Sequence, residues 1–187
     1  MSDNSERYPI DRQRYFNCVG RLLPHRLGQI FKELGYQSSI AKGQSNGVDL
    51  IVTDDNKQIL AAEIINFSVY SSLSNYRKRR IIQNLSEYSC RRLLIYSCIE
   101  DEGILKDLGV QEILTLKIGY QLQPKYFYDF FAAKGQVVLR EVDSQATWQN
   151  ITSKIVAFLQ SVGIETQTSP FESDFLMSQT CSKGCRR

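Results

Sequence analysis

Two carboxylates constrain this chain more than any other feature. Asp49 stands near the head of the apolar run VDLIVT, residues 48–53, and Glu63 stands inside the run QILAAEIINF, residues 58–67. A charged side chain in such a segment is costly to bury unless it is paired or holds a cation. The polar turn DDNK separates the runs, a hairpin signal, and both runs carry apolar residues on two faces, as strands of a covered central sheet do. Register decides whether the acids meet. With a two- or four-residue turn, residue 49 pairs with 62 and the acids point to opposite faces. With a three- or five-residue loop, 49 faces 63 and the Cβ atoms approach to about 5 Å. Two carboxylates that close repel unless one is protonated or a divalent cation lies between them, and oxygen-only ligands of this kind suit Mg2+ or Mn2+.

The rest of the chain supplies a frame for such a hairpin. At 187 residues and 42% hydrophobic content it can bury the core of one domain. From Asp11 to Leu34 the residues Tyr15, Val19, Leu22, Leu23, Leu27, Ile30, Phe31 and Leu34 recur at helical spacing. Gly35 ends that helix, and Pro24 inside it predicts a kink or a break near Leu23. A first strand is expected over 36–41. After the hairpin, Ser74 caps a helix running to about Cys90 with Ile81, Ile82, Leu85 and Tyr88 inward. Then come a strand over 91–99, a short helix and a strand over 110–116. This αβββαβαβ order predicts an α/β sandwich with a central mixed sheet. C-terminal helices follow, PKYFYDFFAAKG and Thr147–Val162, with QVVLREV as a possible edge strand. The expected organisation is a flexible 1–10, a single domain over 11–164 (core 11–116, extension 117–164) and a disordered tail over 165–187.

Composition excludes several classes. The N-terminus lacks an apolar signal core, and no run approaches the roughly 18 apolar residues of a membrane helix, so a cytoplasmic protein without a membrane segment is expected. Five cysteines without a C-x-x-C pair suggest neither a disulfide framework nor a zinc ribbon. Cys181 and Cys185 are read as stray thiols on the tail. The single histidine, His25, rules out a multi-histidine metal site and most catalytic triads. The net charge of +3 is uninformative, but its distribution is not. Between Ser74 and Arg92 the cations Arg77, Lys78, Arg79, Arg80, Arg91 and Arg92 face one acid, Glu87, a local surplus of five. Four consecutive cations at a helix start oppose the helix dipole, a broken rule that suits phosphate binding but also describes a solvated charge run. Tyr70 and Tyr76 either stack on bases or cover the core; residue type alone leaves both open.

Taken together, the phrases SNGVDLIV with Asp49 and AAEIINF with Glu63, in this element order, resemble the PD-(D/E)XK nuclease superfamily, of restriction-endonuclease-like fold. The likeness covers roughly residues 11–116 and is nearest to the Holliday-junction-resolvase and Mrr-like branches, whose second strand reads E-V-K-N-W. One position departs: the family's lysine, two residues after the glutamate, is Ile65 here. Gln83 is similar to the glutamine that follows the metal site in RecB-like members, although its distance to Tyr88 is one residue too long.

The resemblance implies a restriction-endonuclease-like α/β/α sandwich, a homodimer, and a metal-dependent endonuclease hydrolysing DNA. Asp49, Glu63 and the carbonyl of Ile64 would hold Mg2+ or Mn2+. Lys78 or a neighbouring arginine would replace the missing lysine, and Arg77, Lys78, Arg79, Arg80 and Gln83 would contact nucleic acid. Two alternatives stay open. One is a catalytically inactive relative binding nucleic acid or a partner through the same surface, which Ile65 favours. The other is an α/β interaction domain unrelated to nucleic acid, whose tail FESDFL docks to a partner and for which Asp49 and Glu63 would not face a common cleft; the ordinary structural reading of Glu63 itself is a pair with Arg91 or Arg92.

Overall fold

The computed structural model describes residues 12–40, 47–66, 73–99, 102–133, 135 and 140–166. Residues 1–10, Tyr70, both tail cysteines and all of the expected tail past Thr166 lie outside them. The chain folds as α/β, with a mixed five-stranded sheet and helices packed on both of its faces. No helix among the described residues is long and apolar enough to cross a membrane.

Helix α1 (Arg12–Glu33) forms on the expected stripe, with Leu23, Leu27, Ile30 and Phe31 fully buried. Each such side chain contributes about 1.5–3 kcal/mol relative to remaining in water. Gly35 ends the helix in a left-handed conformation, φ 94°. Its N–H donates to Lys32 and the N–H of Tyr36 donates to Phe31, the paired closure that a left-handed residue permits. The expected break at Pro24 does not occur, and the helix runs through it. A proline at this point costs one hydrogen bond, to the carbonyl of Gly20; Gly20 is exposed, while the ring of Pro24 is buried against the core side.

Strands β1 (Gln37–Ile40), β2 (Leu50–Asp54) and β3 (Lys57–Ile65) form an antiparallel meander. Helix α2 (Asn75–Ser86) and helix α3 (Glu102–Val110) then lead to β4 (Arg91–Tyr96) and β5 (Ile113–Lys117), which join parallel to give the order β1-β2-β3-β4-β5. Helix α2 stops four residues short of the expected Cys90. One face of the sheet, with Leu50, Val52, Leu60, Ala62, Ile64, Leu93 and Ile95, packs on α1 and the C-terminal helix α5 (Gln145–Ser161). The other, with Ala61, Ile65, Leu94 and Tyr96, packs on α2 and α3.

Between β5 and α5 come β6 (Gln121–Gln123), α4 (Lys125–Ala133) and β7 (Arg140–Val142). The segment expected as an edge strand does not extend the main sheet. Its described part, β7, pairs in parallel with β6 as a separate two-stranded sheet. Strand β6 had no sequence signal because Gln121 and Gln123 are polar, yet both are buried. Asn66 makes this possible. Its Nδ2 donates to the carbonyls of Val19 and Leu122 at 2.8 Å each, and its Oδ1 accepts from the N–H of Leu122 at 2.9 Å. One buried amide thereby stitches the end of β3 to α1 and β6, with both atoms of its side-chain amide hydrogen bonded.

The hairpin register follows from two opposing features. Asp55 and Asn56, at φ 44° and 66°, form a two-residue turn of the type that matches strand twist. Alone, that turn would set residue 49 opposite 62 and send the acids to opposite faces. The pairs run Asp54 with Lys57 and Thr53 with Gln58, and then skip to Val52 with Leu60, Ile51 with Ala61 and Leu50 with Ala62. Ile59 is the extra residue of a β-bulge, and the shifted ladder aims Asp49 at Glu63. Asn56→Gly, which relieves a positive φ, is expected to raise the free energy of urea unfolding by about 0.5–1 kcal/mol. Deleting Ile59 brings turn and core into one register, so the hairpin is expected to keep Asp49 facing Glu63 and to lose no more than about 2 kcal/mol, the packing of one half-buried side chain.

Candidate functional site

The acids meet on the α2 face of the sheet. Asp49 Oδ2 accepts a hydrogen bond from the backbone N–H of Ile64 at 2.8 Å. The carboxyl of Glu63 lies beside that of Asp49, close enough for each to act on the other's ionisation and for the protonated form of Glu63 to donate to Asp49. In extended backbone the N–H and C=O of one residue point to the same edge, so the Ile64 carbonyl is also directed toward the Asp49 side. Gly47, at φ 143°, sets the approach to β2 in a conformation that a side chain disfavours.

Helix α2 lies over the pair. Ser74 caps it, accepting from the N–H of Arg77 at 3.3 Å, and no acid occupies its first turn. Arg77, Arg80 and Asn84 are three and four residues apart and share one side of the helix. Asn84 Nδ2 donates to Glu63 Oε1 at 2.7 Å and to the Gly47 carbonyl at 3.2 Å. The positive charge of Arg77 acts on both carboxylates, and that of Arg80 acts on Asp49. Ile81 and Leu85 turn inward to the core, and Arg79 and Gln83 are exposed.

Two residues expected at the acids are placed elsewhere, and their sequence neighbours face the pair instead. Lys78 does not face the acids: its Nζ pairs with Asp107 Oδ2 of α3 at 2.7 Å. Helical phase explains this, since residue 78 lies on the flank next to Ile81 and Leu85, turned toward α3. Gln83 is likewise on the outer side, and Asn84 occupies the place beside the acids. Asn84 stands four residues before Tyr88, the distance that Gln83 exceeded by one, and that spacing was the available signal. Ile65, two residues after Glu63, is 1% exposed in the cluster that holds Leu94, Tyr96, Ile81 and Leu85, so a charged group there would be sealed in the core. Arg91 and Arg92 do not pair with Glu63. Arg91 donates to the Val162 carbonyl, and Arg92 binds the Gln111 carbonyl and Glu112.

Electrostatics follow from this packing. Burial raises the pKa of Asp49, against the Ile64 N–H, the Glu63 hydrogen bond and the two arginines. For Glu63, burial first and the charge of Asp49 second push the pKa from its ordinary 4.5 up to about 7, with Asn84 and Arg77 opposing. The donor set fits a hard divalent cation: two neighbouring carboxyls whose mutual repulsion a cation would relieve, with a backbone carbonyl on the same side. Among the described residues no group of three or more His, Cys, Asp and Glu side chains comes together, so water oxygens would complete the shell.

Comparison with known proteins adds no assignment. No family model and no curated protein matches the chain. Among solved structures it is similar to the crystal structure of AF1548, a protein of unknown function. The identity is 15% and the TM-score 0.39, over 78% of this chain and 89% of that one, a likeness too loose to assign an activity.

Because Glu63 binds its proton more tightly folded than unfolded, the folded chain gains a proton between about pH 4.5 and 7. Its stability contribution is full below that window and is lost as pH rises through it. Glu63→Gln is therefore expected to gain stability relative to wild type when the pH is raised from about 5 to about 8, read as the difference between their melting temperatures. Parallel pH profiles would contradict the raised pKa of Glu63.

Proposed function

We propose that the chain is a metal-dependent endonuclease of restriction-endonuclease-like fold, acting on DNA phosphodiester bonds. One observation carries this reading: Asp49 and Glu63 meet on one face of the sheet, beneath a helix whose Arg77 and Arg80 act on the same pair. The element order αβββαβαβ and the sheet order β1-β2-β3-β4-β5 support the fold assignment.

Asp49, Glu63 and the Ile64 carbonyl would hold Mg2+ or Mn2+. When bound, such an ion lowers the pKa of its water and polarises a phosphoryl oxygen. The chain's own residues do the rest. Asn84 fixes the Glu63 carboxylate through Oε1 and leaves Oε2 free of that bond. Arg77 takes the part of the absent lysine, stabilising charge that builds on the phosphate during in-line attack. Its fork of donors suits a phosphate better than the point charge of a lysine would. Lys78 has a structural role instead, joining α2 to α3.

A second reading, that of a non-cutting relative binding nucleic acid through the same surface, is favoured by the buried Ile65. Cleavage of plasmid and branched DNA in Mg2+ or Mn2+ separates the two. The nuclease reading expects Glu63→Ala to abolish cleavage, Arg77→Ala to lower kcat/KM by about tenfold or more, and Lys78→Ala to change it by less than about twofold. Steeply salt-dependent DNA binding by wild type without metal-dependent cleavage would remove the enzymatic reading and leave the binding one.

A further inference from the structure

Helix α2 has a second surface beside its arginine stripe. Tyr76 is 75% exposed and meets no other ring among the described residues. The core beneath the helix is already filled by Leu73, Ile81 and Leu85, so the ring is not covering it. A lone exposed aromatic is ordinary in itself. The setting of this one is not: the next residue is Arg77, which acts on both acids, and the neighbours one turn on are Arg79 and Arg80, both exposed.

We infer that Tyr76 is a stacking platform for an unpaired base, so that the strand engaged at the acid pair is single-stranded there, either a free single strand or a duplex opened at a fork, flap or junction. This rests on the nucleic-acid reading above. In the interior of a duplex both faces of every base are covered, and a tyrosine ring has nothing to stack on. An unpaired base offers a free face, whatever its identity. Residues one helical turn apart have Cβ atoms about 5–6 Å from each other. A base on Tyr76 therefore leaves its flanking phosphates within reach of Arg79 and Arg80, while Arg77 on the adjoining side leads the strand toward Asp49 and Glu63. The cations alone would serve single and double strands alike; the ring between them favours the single strand.

Fluorescence anisotropy in EDTA, with single-stranded DNA, single-stranded RNA and fully paired duplex DNA of about 20 nucleotides, tests this. Wild type is expected to bind a single strand about tenfold or more tighter than the duplex. Tyr76→Ala should lose about tenfold on the single strand and less than about twofold on the duplex, while Tyr76→Phe binds as wild type. The melting temperature of Tyr76→Ala should barely move, since the ring is three-quarters exposed. A selective loss on either single strand sustains the inference, and the strand that shows it identifies the sugar preferred. An equal loss on single strand and duplex, or no loss, overturns it. The cleavage assay on the same proteins separates this from the reading it rests on. Selective binding by Tyr76 without metal-dependent cleavage keeps the platform and removes the nuclease. Metal-dependent cleavage with unchanged binding by Tyr76→Ala does the reverse.

Discussion

One extra residue in β3 governs the rest of the structure. Side chains alternate along a strand, so parity decides which face every residue of β3 serves. With Ile59 bulged out, Leu60, Ala62 and Ile64 fall on the α1 side and Ala61, Glu63 and Ile65 on the α2 side. Both faces are buried, so neither layer can accept the other's residues, and the two cores together hold the register against the preference of the turn. Local hairpin chemistry and global packing want alignments that differ by one residue. The bulge reconciles them, and the meeting of Asp49 and Glu63 is a by-product of that settlement.

The electrostatic logic of α2 is complementary. A helix start favours acids, and this one carries arginines and no acid in its first turn. The compensating charge comes from the sheet below, where Asp49 and Glu63 sit within the field of Arg77 and Arg80. Each group is costly alone: the acids are partly desolvated and repel, and the cations oppose the dipole. Together they lower each other's cost, and the raised pKa of Glu63 eases the remaining repulsion when the pH falls below about 7.

Much of this was legible in the sequence, for definite reasons. Helix α1 and its end at Gly35 follow from apolar spacing and from a glycine where a left-handed residue is needed. The two acids stood out because they interrupt apolar runs. Their register was not legible, because Ile59 is an ordinary apolar residue and nothing in its type announces a bulge. The choice of Arg77 over Lys78, and of Asn84 over Gln83, depends on helical phase, which is known only once the buried side is placed; Ile81 and Leu85 place it. Pro24 misled because its local rule is overridden by the packing of the helix around it. Strand β6 was hidden because glutamines read as loop, and their burial depends on Asn66, more than fifty residues away in the chain.

The pairing of Lys78 with Asp107 looks like a loss, a cation taken from the site. Its position gives it another meaning. Helix α2 is held on one flank by that pair and on the other by Asn84, which grips Glu63 and Gly47. A cylinder fastened along one line can roll about it; fastened along two, it cannot. The helix is held on two sides of its axis, so the strip of its surface that carries Arg77 and Arg80 is set toward the acids by the framework.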